Sequence, residues 1–340
     1  MTRLKVNLNS GNHSTGRGVG FYAANLEKAL SRVKTIELTN KDPKLIHYPF
    51  FDLFYPTLPL IKNKPTVVTI HDLTPLVLKD KYPKGIRGFI NLARQRLSLA
   101  NVSAIITDSL SSKQDIIKIF KINPQKIHVV YLDCDPLFKT KVSNTHRTKV
   151  KQKYDLPDKF ILGGTGHPNP NKNLPLLAQV TSELKIPLVL FGKGMTQNIS
   201  HPVHFELKDL HQLQKFKHII YPGFVPTSDL VAMLNLSKLY CLPSLYEGFG
   251  ITLLEAMSTG TLLVSSNSSS LPELYGNAAI TFNPTSKTSL KKALIKGLNL
   301  TPTQKQNLIS KGYSQVKKFS WNKTATQTSQ IYHSIATNHR

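Results

Sequence analysis

The C-terminal half of the chain contains the sequence LYCLPSLYEGFGITLLEAMSTG at residues 239–260. Its first residues are apolar and predict a buried strand that ends at Pro243. A glycine-containing loop with Glu247 follows, and a helix is predicted to begin near Ile251. Because a helix start presents unpaired backbone N–H groups, this strand–loop–helix unit predicts an α/β fold with an anion site at the loop. Glu247 and Glu255 bracket the loop and the helix start, where carboxylates can accept hydrogen bonds from sugar hydroxyls.

Strand and helix patterns alternate along nearly the whole chain. Short β-branched or apolar runs predict strands at residues 6–8, 66–70, 104–107, 127–130, 160–162, 187–191, 219–221, 239–242, 261–265 and 278–282. Helical patterns lie between them, so the sequence predicts two α/β domains with parallel sheets. A polar, basic stretch at residues 139–153 interrupts the alternation, and we therefore place the domain boundary after residue 155. Open α/β sheets bind ligands at the carboxyl ends of their strands, so each domain is expected to present a binding rim.

The composition is strongly basic. The chain has 340 residues with 44 Lys and Arg against 19 Asp and Glu, which gives a net charge of +25. Such a charge attracts polyanions, namely nucleic acid, an anionic membrane or phosphorylated substrates. No apolar run is long enough to cross a membrane, the first residues lack the apolar core of a secretory signal, and Cys134 and Cys241 form no disulfide framework. We therefore expect a cytoplasmic protein.

Residues 239–260 closely resemble the donor-binding signature of the family-4 retaining glycosyltransferases. Without this context, two glutamates at this spacing would more often be a loop residue and an exposed helix residue without a binding role. The interpretation of the pair as a binding site therefore depends on the match of the surrounding residues. The resemblance extends, in order, to residues 15–22, 71–76, 107–113, 162–174, 221–230, 264–274 and 319–321. It implies the GT-B fold, in which two Rossmann-like parallel-sheet domains face a central cleft. The implied parts are an acceptor-side domain at 1–155, a nucleotide-sugar domain at 156–318 and a terminal helix at 319–340 that crosses back to the first domain.

The resemblance also implies roles for individual residues. Glu255 would hold the ribose hydroxyls of the donor nucleotide, Glu247 the hydroxyls of the transferred sugar, and Lys172 the diphosphate. His71, at the end of a predicted strand, would touch the donor sugar or its phosphate. The catalytic candidates are therefore Glu247, His71 and Lys172. Further donor contacts would come from Gly248, Phe249, Gly250, Ile251, Thr252, Leu253, Val225 and Gly16.

Some of these assignments have a plainer alternative. The loop of Gly16, Gly18 and Gly20 fits a tight strand-to-helix turn, which is compatible with close approach to a phosphate or an acceptor. A lone histidine such as His71 is more often structural than functional. Many relatives place an arginine shortly before the lysine that corresponds to Lys172. Residues 167–171 contain none, which leaves one phosphate contact unassigned.

No metal site is expected. Residues 201–211 contain three histidines and one glutamate, but Pro202 prevents regular helical spacing and no cysteine lies near. The serine-rich stretch at 265–270 lacks the context of a catalytic nucleophile, and we interpret it as a loop. The nucleotide sugar, GDP-mannose or a UDP-sugar, would be the donor substrate, and no cofactor is expected to be required.

A basic segment, Lys79–Arg96, carries apolar residues between its charges. As a partly helical amphipathic stretch it could lie on an anionic bilayer, which predicts a peripheral place on the inner membrane face. The alternative is a solvated helix whose apolar side packs on the sheet.

Together these features predict a retaining hexosyltransferase. It would move a hexose, with mannose the first expectation, from a nucleoside-diphosphate sugar to a hydroxyl of a glycan or lipid-linked acceptor. A sugar-nucleotide epimerase of the same fold is an alternative, and it would release an isomerised sugar without any acceptor. A non-enzymatic nucleic-acid-binding protein would explain the charge. The sequence lacks a helix-turn-helix, a zinc finger and an aromatic RNA-binding motif, so we expect no nucleic-acid partner.

Overall fold

Two six-stranded parallel sheets organise the chain in a computed structural model that describes residues 3–11, 18–164, 167–196 and 207–338. The chain divides into two compact units. The first contains Met1–Val77, Pro83–Asp133 and Phe319–Arg340, and the second contains Leu78–Tyr82 and Cys134–Lys318. The predicted α/β class with two parallel sheets is confirmed.

The strands of the first unit are β1 (Leu4–Leu8), β2 (Ile36–Leu38), β3 (Leu45–Tyr48), β4 (Thr66–Thr69), β5 (Ala104–Thr107) and β6 (Ile127–Val129). They lie in the order β2-β1-β3-β4-β5-β6, and all neighbours are parallel. Every residue of β4 and β5 is buried, because both faces of these apolar, β-branched strands are covered. The sequence pattern did not predict β2 and β3, which are short and contain the polar residues Glu37 and His47.

The helices of the first unit are α1 (Val19–Leu30), α2 (Thr74–Val77), α3 (Ile86–Ser98), α4 (Leu110–Phe120) and the last helix of the chain, α13 (Trp321–Asn338). α13 packs on α1, where the rings of Trp321 and Phe21 meet edge to face with centroids 5.9 Å apart. Thr324 donates a hydrogen bond of 2.7 Å to the carbonyl of Tyr131. These contacts attach the end of the chain to the first sheet and its helices.

The strands of the second unit are β7 (Ile161–Gly163), β8 (Leu188–Leu190), β9 (Ile219–Ile220), β10 (Leu239–Leu242), β11 (Leu263–Ser266) and β12 (Ala279–Phe282). They lie in the order β12-β11-β10-β7-β8-β9, again all parallel. The helices are α5 (Asn144–Lys153), α6 (Leu174–Glu183), α7 (Lys208–Leu213), α8 (Thr227–Leu236), α9 (Ile251–Ser258), α10 (Leu271–Tyr275), α11 (Lys287–Leu298) and α12 (Pro302–Val316).

The chain passes to the second unit after Asp133, so the boundary predicted after residue 155 lies inside that unit. The basic stretch that suggested the boundary is largely α5, a helix capped by the Ser143 hydroxyl. Lys153 and Tyr154 both hydrogen-bond the carboxylate of Asp229 in α8, at 2.7 and 2.9 Å. α5 is polar, like a linker, and it is held by contacts with a residue far along the chain. A local sequence pattern does not show such contacts, so it misplaces the boundary.

Among the described residues, no helix has both the length and the apolar character that crossing a bilayer requires.

Candidate functional site

The strand order of the second sheet reverses between the neighbouring strands β7 and β10, which mark its switch point. On one side of this point β7, β8 and β9 follow one another to one edge of the sheet, and on the other side β10, β11 and β12 follow one another to the opposite edge. The loops after two strands that diverge in this way leave a crevice at the carboxyl ends, where open α/β sheets bind ligands. Lys172 follows β7 and Glu247 follows β10, and their side chains meet there. The fold thus brings together two of the three predicted catalytic residues.

Lys172 and Glu247 form an ion pair that is largely shielded from solvent. The ammonium group lies 2.8 Å from each carboxylate oxygen, and the Ser244 hydroxyl donates to Glu247 Oε1 at 2.6 Å. The two side chains are 16% and 10% exposed. Because little water screens the pair, removing either partner would leave an uncompensated charge. An anion that entered this crevice would meet the Lys172 ammonium, and a hydroxyl group would meet acceptor oxygens on Glu247.

Asn171 joins the two loops that carry this ion pair. Its side-chain amide donates to the carbonyl of Tyr246 at 2.9 Å, and its backbone carbonyl accepts from the N–H of Leu245 at 2.7 Å. The Tyr82 hydroxyl donates to Asn171 Oδ1 at 2.7 Å, which ties the segment Leu78–Tyr82 to the second unit. No role for Asn171 was predicted from the sequence. The available signal was its place beside Lys172 within the stretch that resembles the family.

The serine-rich stretch at residues 265–270 braces the loop that contains Glu247. The Glu247 N–H donates to the Ser269 hydroxyl at 2.8 Å. The Ser270 hydroxyl bonds the carbonyls of Glu247 and Phe249 at 2.9 and 2.8 Å. Short hydroxyl side chains therefore hold the backbone of this loop in one conformation, a role that its interpretation as a loop did not include.

The loop reaches α9 through Gly250, whose φ of 93° lies in the left-handed region. A Cβ atom at this position would lie 2.5 Å from Leu271 Cδ2. Only glycine meets both conditions without strain. The α9 helix then begins at Ile251, so its N-terminus lies directly after the loop, as predicted.

Glu255 lies one turn further along α9 and is partly exposed. The buried Tyr240 of β10 donates its hydroxyl proton to the Gly164 carbonyl at 3.3 Å. Burial raises the pKa of this hydroxyl, a hydrogen bond with Thr252 lowers it, and the charges of Glu255 and Glu247 raise it further. Both predicted glutamates therefore act electrostatically on the same buried hydroxyl of β10.

The remaining predicted donor contacts differ in exposure. Val225, Gly248, Phe249 and Leu253 are buried, whereas Ile251 and Thr252 are half-buried. The N–H of Leu253 is bonded to the carbonyl of Gly250 at 2.9 Å. A buried residue such as Val225 could contact a ligand only through its backbone atoms. Gly16 and the neighbouring Arg17 lie outside the described residues.

His71 follows β4 in the first unit and pairs with Asp108, which follows the adjacent strand β5. Its Nδ1 lies 2.6 Å from Asp108 Oδ2, and its Nε2 lies 3.2 Å from the carbonyl oxygen of Pro49. Both neighbours accept hydrogen bonds, so both ring nitrogens are best used as donors, as in the imidazolium form. Burial lowers the pKa of His71, but the charge and hydrogen bond of Asp108, the charge of Asp72 and the Pro49 carbonyl raise it above its usual value. Asp108 was not predicted from the sequence as the partner of His71.

A buried polar network lies behind His71. His47 is bonded through Nδ1 to the Tyr332 hydroxyl at 2.6 Å and through Nε2 to the Thr69 hydroxyl at 2.8 Å. Burial and the nearby His71 lower the pKa of His47 to about 3, so this ring is neutral. Tyr22 bonds the same Thr69 hydroxyl at 3.0 Å, and its ring meets that of His71 in a T-shaped arrangement with centroids 4.8 Å apart. The terminal helix α13 is thus connected to the surroundings of His71.

Within the described part of the chain, no group of three or more His, Cys, Asp or Glu side chains is arranged to hold a metal ion. Residues 201–206 of the histidine-containing stretch lie outside that part, and His211 lies in α7.

Comparisons with known proteins agree with this arrangement. The family model described as "Glycosyl transferases group 1" matches residues 146–315, and the one described as "Glycosyltransferase Family 4" matches residues 5–135. A serotype-specific mannosyltransferase WbdA of Escherichia coli is 30% identical over 313 residues, which cover 88% of this chain and 38% of WbdA. The O-antigen chain mannosyltransferase B of Escherichia coli is 28% identical over 273 residues, which cover 78% of this chain and 69% of that relative. The chain therefore spans less than two fifths of the length of WbdA.

Solved structures share the fold at low sequence identity. Sucrose-phosphate synthase from Thermosynechococcus elongatus superposes with a TM-score of 0.75 at 16% identity, covering 98% of this chain and 99% of that one. Anabaena HepE in complex with UDP and glucose superposes with a TM-score of 0.71 at 17% identity, covering 97% and 99%. Two parallel α/β units of this kind are the architecture of GT-B glycosyltransferases. With both family models matched along the chain, this protein belongs to the family-4, group 1 glycosyltransferases of the GT-B fold.

Proposed function

We propose that this protein is a retaining hexosyltransferase that moves a sugar from a nucleoside-diphosphate donor to a hydroxyl of a glycan or lipid-linked acceptor. Mannose is the proposed sugar, because relatives at 30% and 28% identity are named mannosyltransferases. GDP-mannose is the proposed donor. A UDP-sugar is the alternative, since the solved structures of HepE contain UDP, alone or with glucose, or UDP-glucose.

The observation that carries this proposal is the shielded pair of Lys172 and Glu247 at the switch point of the second sheet. A diphosphate needs a cation at the point where the leaving charge develops, and a charge-assisted hydrogen bond there is worth about 1.5–3 kcal/mol. A sugar needs acceptors for its hydroxyls, which Glu247 supplies. The N-terminus of α9 adds a favourable field for an anion.

The hydrogen bonds of Glu247 also bear on the proposed stereochemical course. Its carboxylate already accepts from Lys172 and Ser244, which weakens it as a nucleophile. We therefore favour front-face substitution over a double displacement through this residue. The bond between the anomeric carbon and the diphosphate oxygen breaks, the acceptor oxygen bonds to the same face of that carbon, and the acceptor proton passes to the departing diphosphate. Lys172 would stabilise the charge on that leaving group.

His71 is proposed to contact the donor sugar or its phosphate from the first unit. Its hydrogen bonds to Asp108 and to the Pro49 carbonyl support a protonated ring, which suits a phosphate oxygen. Asp108 would act through His71 as a positioning residue. Glu255 is proposed to bind the ribose hydroxyls. The backbone of Val225, residues 248–253 and Gly16 would provide further donor contacts, and neither a metal ion nor another cofactor would be needed.

A panel of nucleotide sugars, with thermal shift and nucleotide release as the two measurements, tests this proposal. We expect GDP-mannose to raise the melting temperature and to release GDP only when an acceptor is present, with the same rate in EDTA. Retention of the anomeric configuration is checked by NMR of the product. Release of an isomerised sugar without an acceptor would instead indicate an epimerase. The absence of any response to every nucleotide sugar would contradict the proposal.

We also propose a cytoplasmic protein that associates peripherally with the inner face of the membrane. The charge of +25 supports attraction to anionic lipid headgroups.

A further inference from the structure

The helix α3 is amphipathic, and most of its large apolar side chains lie on the face that points away from the protein. The face that packs on the first unit contains polar side chains together with Leu92, which packs against the apolar core. Asn91 donates to the Phe54 carbonyl at 2.7 Å, and the fully buried Gln95 donates to the Asp52 carbonyl at 2.7 Å. Ser98 is also fully buried on this side. Hydrogen bonds to a neighbouring loop and the apolar contacts of Leu92 therefore hold this face of the helix.

The opposite face of α3 is apolar and lies in solvent. The large side chains on it are exposed by 83%, 70%, 60% and 69%, in the order Ile86, Phe89, Ile90 and Leu97. Ala93 is exposed between them. Counted from Ile86, these residues occupy positions i, i+3, i+4, i+7 and i+11 of the helix, so they form one continuous stripe. We call this set the α3 stripe. The stripe residues therefore do not pack on the sheet, whereas Leu92 of the same basic segment packs against the core of the first unit.

Basic residues flank the α3 stripe. Arg87, Arg94 and Arg96 are exposed, and the helix sequence IRGFINLARQRLS contains no acidic residue. Within the described residues, none of the three arginines forms a salt bridge. The face combines unpaired positive charge with large apolar side chains, and both are directed to the outside of the first unit.

The loop before β4 also contains exposed apolar side chains, namely Tyr55, Leu60 and Ile61. Lys62 of this loop donates to the carbonyl of Ser98 at the end of α3, with which it forms a short hydrogen bond of 2.5 Å. The loop therefore contacts the C-terminal end of α3.

We propose that α3 binds an anionic lipid bilayer, with the α3 stripe inserted at the boundary between headgroups and acyl chains and the three arginines bound to lipid phosphates. A second copy of the chain fits this face poorly, because it would bring two sets of arginines together without an acidic partner. A bilayer with anionic headgroups offers phosphates above an apolar interior, which matches both features of the face. This inference identifies the contact behind the peripheral placement proposed above. It does not depend on the donor chemistry of the second unit.

Sedimentation of the full chain with vesicles tests the inference. One set of vesicles contains phosphatidylcholine alone, and the other is an equimolar mixture with phosphatidylglycerol. We expect the wild type to sediment only with the anionic set. Both the Phe89→Ser/Ile90→Ser variant and the Arg87→Gln/Arg94→Gln/Arg96→Gln variant should lose about tenfold or more in partition coefficient. Because all five side chains are exposed, the melting temperatures should change little.

The helix α11 supplies a matched control. Ile295, Lys292 and Lys296 are exposed on it, so Ile295→Ser/Lys292→Gln/Lys296→Gln removes similar groups from a different surface. This variant should sediment like the wild type. The thermal shift produced by nucleotide sugars should be the same in all variants, which separates failure of this inference from failure of the proposed function. Unchanged vesicle binding by both α3 variants would overturn the inference. So would a dimer in the absence of vesicles that Phe89→Ser/Ile90→Ser abolishes, since the stripe would then bind a second copy.

Discussion

Each unit carries a largely shielded ion pair at the carboxyl edge of its sheet, and the two pairs differ in the groups that form them. In the second unit, the Lys172 ammonium meets the Glu247 carboxylate, which also accepts a hydrogen bond from the Ser244 hydroxyl. In the first unit, His71 and Asp108 include an imidazole, which titrates in the physiological range. The comparison indicates that pH can change the charge of the pair in the first unit, because His71 titrates.

The largest effect is expected from Glu247→Ala. The substitution removes the acceptor proposed for the sugar hydroxyls and leaves Lys172 without its carboxylate. We expect kcat to fall by about 100-fold or more and the free energy of unfolding to fall by about 3 kcal/mol. Nucleotide release and urea denaturation measure the two effects. Glu183, which pairs with Lys287 and Lys291 on the surface of the same unit, is the control, because Glu183→Ala should change neither quantity appreciably. Near-wild-type transfer by Glu247→Ala would remove this residue from the mechanism.

Asp108→Asn should act mainly on the pH dependence. In the wild type, Asp108 helps to hold the pKa of His71 above its usual value. The stability that this raised pKa contributes is fully present below the unfolded-state pKa and is lost as pH rises through the folded-state value. If the imidazolium contacts the donor, transfer also falls as pH rises through that value. In Asp108→Asn, burial would be the dominant influence on the pKa of His71 and would lower it. The decline of the transfer rate should therefore occur at lower pH than in the wild type.

The rate of Asp108→Asn at neutral pH should be reduced by about 10-fold or more. Asp42→Asn, which alters an exposed pair in the same unit, is the control and should retain the wild-type pH profile. A rate profile of Asp108→Asn that coincides with the wild-type profile would show that the protonation of His71 does not matter for transfer.

Glu255→Ala should weaken donor binding with little change in the rate at saturating donor. Loss of hydrogen bonds from two ribose hydroxyls to a carboxylate predicts a Kd for the nucleoside diphosphate that is about 10-fold to 100-fold higher. Calorimetric titration measures this change. The Kd of Glu255→Gln should lie between the values for Glu255→Ala and the wild type. An unchanged Kd would separate Glu255 from the donor site.

The smallest effect is expected from Tyr82→Phe. It removes the hydrogen bond to Asn171, and we expect the free energy of unfolding to fall by about 1 kcal/mol. Tyr55, whose side chain is exposed, gives the matched control Tyr55→Phe, which should have no measurable effect. Equal stability of the two variants would show that Tyr82 does not tie its segment to the second unit.

The same comparison explains how far the sequence predicts the site. In the second unit, the strand, loop and helix that carry Glu247 are contiguous, so periodicity and glycines were enough to predict their order. Lys172 lies 75 positions away, and only the family resemblance connected it to Glu247. In the first unit, Asp108 follows a different strand from His71, and strand order is not visible in a local pattern.

α3 illustrates a different limit. Its periodicity distinguishes an apolar face from a polar face, but it does not indicate which face packs on the protein. Gln95 and Asn91 find backbone carbonyls in the loop near Phe54, and those partners depend on the tertiary fold. The boundary after residue 155 failed for a related reason, since Asp229 lies far along the chain from the residues that it binds.

The central claim is that the diphosphate of the donor meets Lys172 at the switch point of the second sheet. Its most direct test is the ratio of Kd values for a nucleoside monophosphate and the matching diphosphate, measured by titration for the wild type and for Lys172→Met. We predict that the wild type favours the diphosphate by about 10-fold or more and that Lys172→Met loses most of this preference. A preference for the diphosphate that is the same in both proteins would contradict the claim.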